Sequence, residues 1–477
     1  VRRFSLALTA LLLSTSVLTA CQTTTTTDTE GEDETTAASP AGEGEGLKIG
    51  VLLPATGDLS SIGQGMIDVV PQLVEQVNAC GGVNDADVEV VTEDSQTDPA
   101  AAVEAITKLT EVDQVAGVVG AFGSSISNAA LDVAVRNEVM MISPGSTSTV
   151  FNERAASGEL NGYWARTASP DNYQAEALAQ VAMDEGYENI ATAVINNDYG
   201  VGFEKEFTDS FKEMGGTVKN EEKPVRHDPK ATTFETEASA AFGDEPDAVV
   251  GVLYVESGAL FLKSAYQQGY QDIPVLLTDG VYSDDFPEKV GEDEDGNSII
   301  AGALGTTVGA GGPGLEGLKT TLEGEVGPYV PQTWDAAALL MLAAEAANEN
   351  SGPGIKEHLR EIANAPGEEV TDVCEALQMI RDGEEVNFQG TSSKIEIDEL
   401  GNTAGIYDIW TVTEDGSIEV VKQISVEADA SEKPSDEKMS EEEETSTEKE
   451  DSATDSETEA TTEESDEAME ETETPEE

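Results

Sequence analysis

The feature that most constrains this chain is a recurring unit: a short apolar run ends in small hydroxyl-bearing residues, a helix-period stretch follows, and the next apolar run ends the same way. It is plainest from Gly120 to Thr147, G-A-F-G-S-S-I-S-N-A-A-L-D-V-A-V-R-N-E-V-M-M-I-S-P-G-S-T. Short apolar runs alternating with helical stretches call for a parallel sheet with helices on its faces. In such a sheet, residues beyond the carboxyl ends of the strands face a crevice. A helix starting near Ser124 turns free N–H groups and a partial positive charge into it. Ser124, Ser125, Ser146 and Thr147 are therefore expected together, at a place suited to a small carboxylate that is held and released unchanged.

The alternation runs through two halves. Residues 48–54, 88–93, 115–122 and 139–142 read as strands, with helices over 62–79, 100–112 and 126–136. After the polar, proline-bearing R-T-A-S-P-D at 166–171, where both periods break, strands over 190–195, 248–254 and 274–278 alternate with helices over 175–185, 202–214, 234–242 and 260–268. Residues 299–304 read as a further strand, followed by a glycine-rich loop, a long apolar helix over 333–347, helices near 355–363 and 370–381, and a closing hairpin over 407–412 and 418–424. The expected fold is α/β: two Rossmann-like lobes with a ligand cleft between them. Lobe 1 is expected over 47–166 plus 301–374 and lobe 2 over 167–300 plus 375–426. Strand ends of the second half bring Tyr199, Tyr254 and Asp279 to the same cleft. Two tyrosines supply apolar walls with polar tips, and one carboxylate answers a ligand cation.

The ends of the chain are of another kind. Arg2 and Arg3 precede an apolar, small-residue run too short to span a bilayer, which reads as an export signal over 1–20. Leu18-Thr19-Ala20-Cys21 resembles the bacterial lipoprotein cleavage box, so Cys21 is the expected lipidated residue and the protein is expected outside the cytoplasmic membrane, tethered by lipid. Residues 21–46 form an acidic Thr/Glu/Gly linker, and 427–477 an acidic tail expected to be disordered. The formal net charge is −73; 24 acids against three lysines in 427–477 and seven acids with no base in 22–46 leave about −47 on the folded stretch. A surface this acidic repels nucleic acid and anionic lipid, and salt screening makes it tolerable, which points to a high-salt habitat.

Catalytic and metal readings find little footing. His227 and His358 are the only histidines, one in a loop and one on an amphipathic helix, and both read as surface residues; no G-x-S-x-G and no C-x-x-C is present. Gly309-Ala-Gly-Gly-Pro-Gly314 matches G-x-G-x-x-G in spelling, but Pro313 and the lack of an immediate helix make it a flexible loop. The acidic run 292–297 lacks the alternation and terminal Glu of a calcium loop and reads as a solvated turn. No cofactor, metal or enzymatic activity is expected. Cys80 and Cys374 either form one disulfide or remain two buried thiols.

Specific stretches carry a resemblance over nearly all of 47–424: I-G-V-L-L-P-A-T-G-D-L at 49–59, N-A-C-G-G-V-N at 78–84, V-V-G-A-F-G-S-S at 118–125, I-S-P-G-S-T at 142–147, R-T-A-S-P-D-N-Y-Q at 166–174, I-N-N-D-Y-G at 195–200, L-L-T-D-G-V at 276–281 and T-W-D-A-A at 333–337. The chain resembles the leucine/isoleucine/valine-binding family of solute receptors for ABC importers, with the type I periplasmic-binding fold. The resemblance implies two lobes joined by a three-stranded hinge and a monomer that passes an amino acid to a permease with cytoplasmic ATPases. It further implies that Ser124 and the Thr147 N–H hold the ligand α-carboxylate. The Gly145 carbonyl, the Thr147 hydroxyl and Asp279 then hold the α-ammonium, and Tyr199 and Tyr254 wall the side-chain pocket, near Gly123 and Ser146. Asp279 stands where the family commonly has Glu, and Ile62 falls near the family's covering aromatic. These departures leave a polar amino acid, or an amide-like solute such as urea, open beside a branched-chain one. A sensory receptor component is the alternative role.

Overall fold

The computed structural model describes residues 46–426. The expected signal peptide, the Cys21 anchor, the linker up to residue 45 and the tail over 427–477 lie outside the described residues. Among the described residues no helix is long and apolar enough to cross a membrane.

The first half is a wound parallel sheet. Strands β1 (Lys48–Leu53), β2 (Glu89–Asp94), β3 (Gly117–Gly120), β4 (Met140–Ser143) and β5 (Trp164–Arg166) lie in the order β2-β1-β3-β4-β5, every pair parallel. Helices α1 (Ser60–Ala79), α2 (Pro99–Thr107), α3 (Ser124–Arg136) and α4 (Val150–Ala156) make the crossovers. β3 and β4 are buried along their whole length, which is why they read as continuous apolar runs rather than alternating ones.

The second half repeats the scheme. α5 (Asp171–Asp184), β6 (Asn189–Ile195), α6 (Asp198–Glu213), β7 (Thr217–Val218), β8 (Val225–His227), α7 (Glu235–Phe242), β9 (Ala248–Val252), α8 (Val255–Gln267), β10 (Val275–Leu277), α9 (Phe286–Val290) and β11 (Leu304–Val308) follow in chain order. The chain then returns to the first lobe with α10 (Leu315–Thr321), α11 (Val330–Ala347), α12 (Gly352–Ala363), β12 (Glu368–Val370), α13 (Val373–Arg381) and β13 (Val386–Phe388), before the antiparallel hairpin of β14 (Gly405–Val412) and β15 (Ile418–Val426). The second sheet runs β15-β14-β11-β10-β9-β6-β7, with β8 also on β6.

Two expected boundaries move. The strand read at 299–304 is β11 at Leu304–Val308, paired with β10 and β14, so residues 304–308 belong to lobe 2. Its buried Thr306 and Thr307 had masked an otherwise apolar run. Conversely, α13 and β13 stay with lobe 1, and 375–404 is not part of lobe 2. The Cys80–Cys374 disulfide ties the start of α13 to the end of α1. Arg381 binds the Cys80 and Gly82 carbonyls and, at 3.0 Å, Glu345 of α11. Helix α11 is buried on all sides from Val330 to Ala344, as expected of a helix apolar all round. Its Leu340 uses the space left by Gly117, where a Cβ would come within 2.6 Å.

Three segments cross between the lobes, near 166–171, 309–314 and 398–405, and they brace one another. The Arg166 N–H donates to the Gly401 carbonyl, the Thr167 hydroxyl to the Gln332 carbonyl (2.7 Å), and the Tyr407 hydroxyl to the Pro170 carbonyl (3.2 Å). The glycine-rich loop, expected to be flexible, is held: the N–H groups of Gly311, Gly312 and Gly314 donate to carbonyls of 390–392. Its glycines permit that approach, since a Cβ on Gly312 would lie 2.3 Å from the Gly390 oxygen. Asp335 fixes the other side of the contact. Its wholly buried carboxylate accepts from the N–H and hydroxyl of both Thr391 and Ser392, at 2.5–2.9 Å.

Candidate functional site

At the carboxyl ends of both sheets, Leu59, Phe122, Gly123, Ser124, Gly145 and Thr147 of lobe 1 face Tyr199, Tyr254, Asp279 and Gly280 of lobe 2. They surround a small, partly open cavity of about 10 Å3. Six of the seven residues named from the sequence as ligand contacts thus line one cavity.

The lobe 1 side is built from backbone. Helix α3 begins after Gly123, whose φ of 92° suits glycine, and no side chain caps it, so its first N–H groups point into the cleft. The Ser124 hydroxyl accepts from the Ser148 N–H (3.1 Å), which frees its own hydrogen for the cavity. Arg166, fully buried, sits behind the 145–148 loop. It donates to the Ser146 and Ser148 carbonyls (3.0 and 2.9 Å) and to Asn402 and Asn152 (2.9 and 2.6 Å). A trans peptide points its C=O and N–H in opposite directions, so the Ser146 carbonyl drawn to Arg166 leaves the Thr147 N–H on the cavity side. Burial lowers the guanidinium pKa to about 10, still far above neutrality, and its charge lies under the carboxylate end of the site.

Ser146 is the exception among the expected contacts. Its side chain is wholly buried and lies 3.2 Å from the Ala121 carbonyl and 2.8 Å from the Ser127 hydroxyl, so it braces the β3 and β4 ends instead of facing the cavity. Ser125 also turns elsewhere: its hydroxyl accepts from the Asp198 N–H (2.8 Å) across the cleft. Ile62 is buried outside the cavity lining, and Leu59 closes the cavity on that side. Gly145 is required by packing, because a Cβ there would fall 2.2 Å from the Phe122 ring.

The lobe 2 side is acidic and strongly ordered. Asp279 Oδ1 accepts from Gln174 Nε2 (2.9 Å) and the Tyr199 hydroxyl (2.8 Å), and Oδ2 from the Tyr329 hydroxyl (2.6 Å). A carboxylate offers about four acceptor positions, so about one remains on Oδ2 for a ligand N–H. Burial raises the Asp279 pKa against the pull of those three donors. Asp171 is buried beside it, and burial followed by repulsion from Asp279 raises its pKa well above the usual carboxylate range, against the pull of the Thr147 hydroxyl and the Arg166 guanidinium. The tyrosines stay protonated, pushed up by burial, and the Tyr199 and Tyr254 rings stack at 5.7 Å.

Sequence reasoning passed over Tyr329, Phe122, Gln174, Asp171 and Leu59 as site residues. Gln174 and Asp171 lie within the stretch 166–174, so a polar residue on the inward face of α5 was the available signal. Tyr329 had only its place just before a proline-opened helix, where it adopts a left-handed conformation (φ 59°). His227, expected at the surface, is instead 1% exposed at the end of β8, edge-on to Phe234 at 5.2 Å. Among the described residues no cluster of His, Cys, Asp or Glu is arranged to hold a metal.

A family model described as the receptor family ligand binding region matches residues 68–415. The chain is 24% identical over 382 residues, 77% of its length and 87% of the relative's, to the chemotactic signal transduction system substrate-binding protein BasB of Halobacterium salinarum. It is 25% identical over 329 residues, 66% of this chain and 82% of the other, to Leu/Ile/Val-binding protein homolog 1 of Brucella abortus. Among solved structures it resembles the leucine-binding protein LivK of Thermotoga maritima, with 25% identity, 80% of this chain and 99% of that one covered, and a TM-score of 0.65.

Proposed function

The chain belongs to the receptor ligand-binding family, in its branched-chain amino acid binding group with the type I periplasmic fold, and from that premise we propose that it is the lipid-anchored solute-binding component of an ABC importer. It captures an amino acid outside the cytoplasmic membrane and delivers it to the permease. The observation that carries this reading is the single cavity on which Ser124, Gly145 and Thr147 converge from one lobe and Asp279 from the other. One face offers N–H groups, a hydroxyl and a buried guanidinium behind them; the opposite face offers the Asp279 carboxylate. A zwitterion fits that polarity, with its carboxylate at the α3 N-terminus and its ammonium between the Gly145 carbonyl, the Thr147 hydroxyl and Asp279. Desolvating both charges is tolerable only when each meets a partner, which is the basis of selectivity. Leu59, Phe122 and the stacked tyrosines favour an apolar side chain. The family binds solutes, and nothing in the cavity supplies an activated nucleophile.

Calorimetry at high salt against leucine, isoleucine, valine, polar amino acids, urea and simple carboxylates tests the reading. Binding of a branched-chain amino acid is expected, with Asp279→Ala weakening it by about 2 kcal/mol or more, roughly thirtyfold. Unchanged affinity in that variant, or binding of a solute without an ammonium group in preference to amino acids, would remove the proposed role. The similarity to BasB over 77% of this chain favours one second reading, presentation of the ligand to a chemotactic signalling partner. Co-purification of the liganded protein with a permease or with a membrane signal transducer separates the two.

A further inference from the structure

Helix α8 begins without a cap of its own. Its first flanking residue is Tyr254, a wall of the cavity, and no local side chain meets its leading N–H groups. They are met instead from the other lobe. Asp58 Oδ1 accepts from the N–H groups of Glu256 (2.5 Å) and Ser257 (3.1 Å), and Oδ2 from the Ser257 hydroxyl (2.7 Å). One carboxylate of lobe 1 thus makes three hydrogen bonds to the start of a 13-residue helix of lobe 2.

The loop that carries Asp58 is firmly mounted. Asp94 accepts from the Ala55 N–H, the Thr56 N–H and the Thr56 hydroxyl (2.9, 3.2 and 2.6 Å), and the Leu59 N–H donates to the Thr97 hydroxyl (3.1 Å). Gly57 is needed for that path: its φ is 91°, and a Cβ there would sit 2.2 Å from the Gln96 oxygen. With the loop fixed to its own lobe, closing the cleft brings Asp58 onto α8 and Leu59 over the cavity in one movement. Opening it returns the leading N–H groups of α8 to water.

We propose that Asp58 is a clasp between the lobes, a positioning residue that caps α8 across the cleft in the closed form and holds Leu59 over the bound solute, so that it governs release rather than recognition. Asp58 touches nothing in the cavity; its leverage comes from sitting next to one wall residue, Leu59, and gripping the helix that starts at another, Tyr254. The proposal rests on the solute-binding reading for its kinetic consequence and on geometry alone for the clasp.

The test uses the full chain with Asp58→Ala, Asp58→Asn and Ser257→Ala, and leucine as the probe. Stopped-flow release should accelerate roughly three- to thirtyfold in Asp58→Ala, the range a lost helix cap corresponds to. The effect should be smaller in Asp58→Asn and Ser257→Ala, which keep part of the contact. Release at the wild-type rate in Asp58→Ala overturns the clasp, as does an equal loss in association rate. Should leucine bind neither wild type nor variant, the solute reading fails, and small-angle scattering of the free proteins decides the clasp separately. A larger radius of gyration in Asp58→Ala than in wild type supports it, and identical curves overturn it.

Discussion

At the scale of single residues, the site is governed by charges that are paid for locally. Arg166 donates its hydrogen bonds to four neutral acceptors, with Asp171 and Asp398 attracting it from nearby, and it lends its field to the 145–148 loop. Asp279 forms the opposite pole; burial raises both it and the neighbouring Asp171, and the charge of Asp279 raises Asp171 further. The consequence for pH has a definite sign. A carboxyl whose native pKa lies above its unfolded value near 3.9 holds its proton more tightly when folded. In the empty protein this contribution therefore favours the native state at low pH and is withdrawn as pH rises through the raised range. An ammonium in the cavity reverses the preference, because it favours the ionised pair. Binding of leucine should release protons in the pH range, above the ordinary carboxylate range, where the empty pair still holds a proton, and its affinity should increase as pH rises through that range. Calorimetry in buffers of different ionisation enthalpy reads the proton count directly. No release anywhere between pH 5 and 8 would mean that the pair is already ionised in the empty cleft.

At the scale of elements, the two wound sheets were legible because parallel, doubly covered strands announce themselves as apolar runs: β3, β4, β6 and β9 appear where the sequence places them. A strand whose inward positions are hydroxyls was misplaced, β11 with its buried threonines being read a few residues too early, and β12 and β13, three residues each and dependent on α12 and α13 for cover, escaped. The site followed the same rule. Ser124, Thr147, Tyr199, Tyr254 and Asp279 were visible because each stands just past a strand end. Tyr329, from the turn before α11, and Gln174, from α5, arrive through tertiary packing and were not. Long-range pairing was equally closed to sequence reading, as Cys80 and Cys374 show. Their bridge joins the far end of α1 to α13, closing a loop of 294 residues. Breaking it with Cys374→Ser should cost about 2–5 kcal/mol in urea unfolding. Leucine affinity should hardly change, since α1 is 20 residues long and places the bridge roughly 30 Å along the helix from Leu59. A large loss of affinity at intact stability would show that α13 positions the cleft as well as bracing lobe 1.

At the scale of the whole molecule, the acidic surface sets the conditions under which everything else operates. Of the net charge of −73, about −47 falls on the folded stretch, where exposed carboxylates far outnumber the lysines and arginines available to pair with them. Several of those cations are already committed, Lys108 to Glu93 and Asp113, Lys289 to Glu256 and Asp285, Lys230 to Asp98. Exposed pairs of this kind contribute at most about 1 kcal/mol each, too little to offset repulsion summed over the surface. Screening is the remaining remedy. The Debye length falls from about 10 Å at 0.1 M salt to about 3 Å at 1 M, which separates most neighbouring carboxylates electrically. The thermal midpoint should therefore rise by several degrees between 0.1 and 1 M potassium chloride and then level off as screening saturates. Because both lobes carry the repulsion, the closed form should gain more than the open one, and leucine affinity should rise over the same interval. Scanning calorimetry in chloride and sulfate separates this from general exclusion of salt from the surface. Exclusion predicts a gain that continues past 1 M and is far larger in sulfate, and a midpoint flat or falling in chloride would show that the acidic surface is not an adaptation to salt.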